Sequence, residues 1–121
     1  ETDWVPRIRI ILEHGPARPF TPFDRTGFRE AIAGRPIAEL VERFASLRRT
    51  NFEYVLGLDL GPVQLALQGT HPSLGPVTLG QLLASWAVHD LGHLAQIDRV
   101  LARRWRDEVG PWRALLSIVG S

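Results

Sequence analysis

The stretch from Thr78 to Trp105 constrains this chain most, because no proline falls between Pro76 and Pro111. Thr78-Leu79-Gly80-Gln81 has the form of a capping box, a Thr followed three residues later by a Gln. One long helix is the expected consequence. On it His89 and His93 stand four residues apart, so they share a face, one a turn above the other. At roughly 100° per residue, Leu82, Trp86, His89, His93, Gln96 and Val100 fall within a narrow arc. The histidines are therefore expected on an apolar stripe that points into a core, with Arg99 and Arg103 on the solvent side.

Two histidines at this spacing can hold one divalent metal, since their imidazole nitrogens can converge above the helix. Two neutral imidazoles can equally be hydrogen-bonded core residues, and a bare HxxxH does not decide between the two. The motif is not HExxH, so no adjacent Glu offers a metalloprotease base. Asp90 lies about 100° round the helix from His89, badly placed for the same coordination sphere; it reads as a cap or ion-pair residue. Gln96 shares the histidine face and can orient a ligand or a water, or be a buried amide. No residue presents itself as a catalytic base.

The 121 residues suit one domain, 1–121, large enough for a core but not for two. A net charge of +1 and a charged content of 22% give no basic surface of the kind nucleic acid requires. Every cation is an arginine, which excludes a Schiff-base lysine and favours carboxylate pairs. With no cysteine there is no disulfide framework, thiol nucleophile or cysteine zinc site. Any metal must be held by histidine, carboxylate or water. The sequence has neither a membrane-span-length apolar run nor a signal peptide pattern, so a cytoplasmic protein is expected. The chain also contains no Met, so we expect it to lack a segment ahead of Glu1.

From the start, Glu1 to Glu13 reads as a helix with Trp4, Ile8, Ile11 and Leu12 on one face, tolerating Pro6 only near its beginning or at a kink. His14-Gly15-Pro16 ends it, with His14 as a helix-end residue. Thr21-Pro22-Phe23-Asp24 reads as a helix start, and that helix runs to about Ala33 and stops at Gly34. Pro36 opens a longer helix to about Leu56, with Ile37, Leu40, Val41, Phe44, Leu47, Asn51 and Val55 as its core stripe. Arg43, Arg48 and Arg49 alternate with Glu39, Glu42 and Glu53, which favours a solvated, ion-paired face over an anion site. Gly57 to Val77 reads as a long connection. Val63 to Gln68 alternates weakly, but a single strand there would lack a partner. His71 is expected to be exposed. Trp112 to Val119 reads as a short apolar helix in which Leu115, Leu116 and Val119 pack back.

Three longer helical segments with a histidine pair on the inner face of the last describe most of a four-helix bundle. Pro76-Val77-Thr78-Leu79-Gly80-Gln81-Leu82-Leu83, Trp86-Ala87-Val88-His89-Asp90-Leu91-Gly92-His93-Leu94-Ala95-Gln96-Ile97 and Gly110-Pro111-Trp112-Arg113 together resemble the DinB-like (DinB/YfiT) family of metalloenzymes. Pro19-Phe20-Thr21-Pro22-Phe23-Asp24 is similar to one branch of it. The resemblance spans nearly the whole chain. It implies an all-α four-helix bundle, here truncated to about three main helices plus short ones, and a homodimer. It further implies a divalent metal, zinc or nickel, on three histidines, two of them His89 and His93. The third lies in a His-Leu-type motif shortly before a Glu. This chain has no match for that motif; Glu1-Thr2-Asp3-Trp4 is similar to the family's sequence immediately after it. The first helix and third histidine are therefore expected ahead of Glu1, with metal weakly held or absent in this chain and an open groove where the missing helix would pack.

Two functions are compatible with these features. One is a metal-dependent enzyme, a thiol-dependent transferase or a hydrolase acting on a small molecule, with Trp86 and Gln96 around the metal ligands. The other is a non-catalytic helical module with structural histidines. Ala84, Val88, Leu91, Ala95 and Ala102 would then form a strip that a second helix can approach closely.

Overall fold

A computed structural model describes residues 1–120. In chain order its elements are α1 (Trp4–His14), a 3-10 turn (Gly15–Ala17), α2 (Phe28–Ile32), α3 (Ile37–Gly57) and α4 (Pro62–Leu65). Strands β1 (Gln68–His71) and β2 (Gly75–Thr78), helix α5 (Leu79–Arg103) and 3-10 stretches at Gly110–Leu115 and Ser117–Val119 complete them. The chain falls into two compact units, Glu1–Leu83 and Ala84–Ser121, and α5 runs through the boundary. The protein is mostly helical, and α1, α3 and α5 are the three longer helices expected from the sequence.

In the first unit the core is built on α1. Pro6 sits in its first turn, where the missing N–H has no intrahelical partner in any case. Val5, Ile8 and Ile11 form the buried face, joined by Phe20, Leu79 and Leu82. Burying a side chain of this size completely, as for Ile8, Ile11, Phe20 and Leu79, stabilises by about 1.5–3 kcal/mol each. The connector after α1 lies along β1: Pro19 bridges Thr70 in parallel, and the Phe20 N–H donates to the Thr70 carbonyl at 2.9 Å. Arg9 stacks over the Tyr54 ring at 4.8 Å, linking α1 to α3.

The connection from Gly57 to Val77 is more ordered than its composition suggests. The alternation at Val63–Gln68 does not make a strand, because Pro62–Leu65 closes a helical turn instead, with the Leu65 N–H bonded to the Gly61 carbonyl at 3.0 Å. The strands lie just after it, and they pair with each other: β1 and β2 form an antiparallel hairpin with Gln68 opposite Thr78 and His71 opposite Gly75. Gly75 takes φ +77°, the left-handed conformation that commonly closes a three-residue hairpin loop. His71 holds that loop, its Nδ1 accepting from the N–H groups of Ser73 and Leu74, both at 3.2 Å. Its ring is half-buried, 6.1 Å edge-on to Phe20.

Other expectations change as well. The α2 helix begins at Phe28, well after Thr21, because Asp24 folds its own turn: its Oδ1 accepts from the Thr26 N–H, the Thr26 hydroxyl and the Gly27 N–H, at 2.9–3.0 Å. Those bonds hold the Asp24 carboxyl below the usual aspartate range, the Gly27 N–H contributing most. The last segment forms two 3-10 stretches in place of an α-helix. Of the residues expected to pack there, Val119 is buried while Leu115 is exposed. The α3 stripe is also not a closed core, since none of its residues is fully buried and Ile37, Val41, Phe44 and Phe52 are at least half exposed.

Candidate metal centre

The helix that carries the histidines starts as its capping box requires. The Thr78 N–H donates to the Gln81 side-chain oxygen at 2.9 Å, and the Gln81 N–H donates to the Thr78 hydroxyl at 3.2 Å. The Leu79 N–H is taken by the Leu67 carbonyl at 2.9 Å, which fixes the helix to the hairpin segment. From this anchored end the helix is continuous to Arg103, so His89 and His93 stand on one face.

Their rings lie 4.3 Å apart between centroids and 85° to each other, edge to face. The His93 Nδ1 lies 2.9 Å from the Gln96 side-chain oxygen. With that oxygen as acceptor, the His93 proton sits on Nδ1 and the Nε2 lone pair remains for a ligand. Gln96 thus does for His93 what an outer partner does for a metal-ligating histidine, fixing tautomer and ring orientation.

The surroundings differ from expectation. Leu82 and Trp86, at the start of the stripe, are buried, but His89, His93, Gln96 and Val100 are exposed. The stripe points into a core over its first turns only; beyond Trp86 its burial would require a partner surface that local sequence cannot supply. Arg99 and Arg103 are exposed, as expected. In the small-residue strip Ala95 and Ala102 are half-buried, whereas Ala84, Val88 and Leu91 are open.

Among the described residues no group of three His, Cys, Asp or Glu is arranged to hold a metal ion. His89 and His93 are thus two imidazole donors on one helical face, with no third such donor grouped with them among the described residues. His14 is committed elsewhere, at the end of α1, 3.1 Å from the Arg18 guanidinium. His71 holds the hairpin loop. Among the described residues no helix is long and apolar enough to cross a membrane.

A polar cluster that sequence reasoning missed lies at the other end of the chain. The Glu1 side chain is only 4% exposed. Its Oε1 accepts from Arg48 Nε at 2.7 Å and from Arg48 Nη2, while Asn51 Nδ2 donates to its Oε2 and its backbone carbonyl, each at 2.9 Å. Arg48 is sandwiched by aromatic rings, 5.0 Å from Phe44 and 5.5 Å from Phe52. The only signal in the sequence was that Arg48 and Asn51 are three apart on one helical face, which does not identify a partner 47 residues away. The cluster ties the chain's start to α3.

A scan against protein-family models finds no match to this chain. A search of curated proteins finds no significant match either.

Proposed function

We propose that this chain is a DinB-like protein in which His89 and His93 supply two ligands of a divalent metal, zinc or nickel, in a metal-dependent enzyme. The observation that carries the reading is the 2.9 Å contact between the Gln96 side-chain oxygen and His93 Nδ1, which orients the ring and turns Nε2 toward a ligand when the amide oxygen is the acceptor. In this reading a third donor beyond the two histidines completes the set. When bound, such a metal supplies Lewis acidity that lowers the pKa of a thiol or a water, the chemistry of a thiol-dependent transferase or a hydrolase. The chain's own contribution is positional: α5 sets the two imidazoles one turn apart, and Gln96 fixes a ring and its proton. The substrate in this reading is a small molecule.

A second reading is a non-catalytic homodimerisation module with structural histidines. It is favoured by the exposure of Val88, Leu91, Leu94, Ile97 and Val100 on α5, each more than half exposed.

Metal content measured by mass spectrometry, on this chain and on a version extended upstream, separates the two. Stoichiometric metal in the extended form, lost in His93→Ala and weakened about 10-fold or more in Gln96→Leu, supports the enzyme. If neither form retains metal after mild dialysis, the enzyme reading fails and the module stands, with its dimer measured by sedimentation.

A further inference from the structure

Within the first unit, the chain's start, α2 and α3 line an open trough of about 510 Å³. Phe23, Phe28 and Ile32 form one wall, and Leu40, Phe44 and Leu47 of α3 form the other. The volume and the apolar lining are those of a small-ligand site.

The charges around the trough are unequal in availability. Three carboxylates line it, and all three are engaged: Glu1 with Arg48 and Asn51, Asp3 with Arg7 at 2.6 Å, and Asp24 with Thr26 and Gly27. The one cationic side chain in the lining is Arg43, and the Glu1 α-amino group belongs to a lining residue as well. Arg43 follows Leu40 by three residues and precedes Leu47 by four, so it interrupts the apolar seam of α3. Among the described residues Arg43 makes no ion pair, hydrogen bond or ring contact. An apolar trough whose acids are neutralised and whose guanidinium is open complements an apolar body that ends in an anion.

We propose that this trough binds small amphiphilic carboxylates, with the hydrocarbon between the Phe28 and Phe44 walls and the carboxylate on Arg43. A carboxylate suits the planar guanidinium, which can donate two parallel N–H bonds to it. The inference stands apart from the metal reading and shares no residue with it.

The test is a titration of the intact chain with octanoate, below the concentration at which it self-associates, followed by amide NMR. Octan-1-ol is the uncharged comparator. The expected result is saturable shifts clustered at Phe23–Ile32 and Leu40–Leu47, with octanoate about 10-fold tighter than octanol. In Arg43→Gln, which alters an exposed side chain, that advantage disappears while octanol binding is unchanged. The proposal is overturned if octanoate produces no saturable shifts, or if they centre on residues 88–105. It is equally overturned if Arg43→Gln binds octanoate as tightly as the parent chain. Shifts that track protein concentration instead of octanoate would assign the trough to a second copy and overturn it as well.

Discussion

Single atoms decide much of the packing around α1. At Gly69, on β1, an added Cβ would lie 2.6 Å from Ile11 Cγ1 and 3.1 Å from the Phe20 ring. Ile11 and Phe20 are both fully buried and have no room to retreat. Gly69→Ala should therefore destabilise the first unit by about 1–3 kcal/mol through overpacking, read as a lower urea midpoint with unchanged slope. A neutral outcome would mean that α1 and β1 can separate at little cost. Local bonding likewise sets apart the two histidines whose roles differ from the pair: His71 spends its Nδ1 on a hairpin loop and His14 lies beside Arg18, so neither is positioned as a ligand.

Element boundaries obey capping chemistry, and there the sequence was informative where the bonds are local. The capping box at Thr78 and Gln81 was legible because both its bonds span three residues. Thr78→Ala should cost about 1 kcal/mol by removing the acceptor for the Gln81 N–H, measured by thermal or urea unfolding. The start of α2 was misread because Thr21-Pro22-Phe23-Asp24 has the form of a helix start, and only the fold of the loop shows that Asp24 closes its own turn. The hairpin was missed for a related reason: its strands are four residues each and polar, so alternation is too short to register, and the cue was a turn set by His71 and Gly75. Asp24 also carries a pH dependence. Its folded-state pKa is below its unfolded value, so its stabilisation is complete above the usual aspartate range and is lost as pH falls through the folded value. The protection of the Thr26 and Gly27 amides, taken as the ratio of intrinsic to observed exchange rate, should fall on acidification through that window, and Asp24→Ala should show low protection already at neutral pH. Equal exchange in both chains at every pH would mean the turn does not depend on the carboxylate.

At the scale of the whole molecule, the spacing of His89 and His93 was legible because a helix fixes it, but their burial was not, because burial depends on surfaces remote in sequence. The apolar side chains of α5 beyond Trp86 make the point. Val88, Leu91, Leu94, Ile97, Val100 and Leu101 are all more than half exposed and spread over about two-thirds of the turn around the axis, the rest carrying His89, Gln96, Arg99 and Arg103. So wide an apolar arc is suited to a covering surface. From Leu91 to Arg103 no residue is fully buried, only Ala95 and Ala102 are half-buried, and isolated helices of that length are marginal in water. Hydrogen exchange should therefore fall into two classes along one helix. Amides at Leu82 and Leu83 should open only with the first unit, and those from Leu91 to Arg103 should exchange near the rate of an unsupported helix. A dilution series then decides what the far half packs against. If it is protected at high concentration and loses that protection on dilution, a second copy covers it. If it is protected at every concentration, the expectation of an unsupported helix fails, and residues of the same chain enclose it.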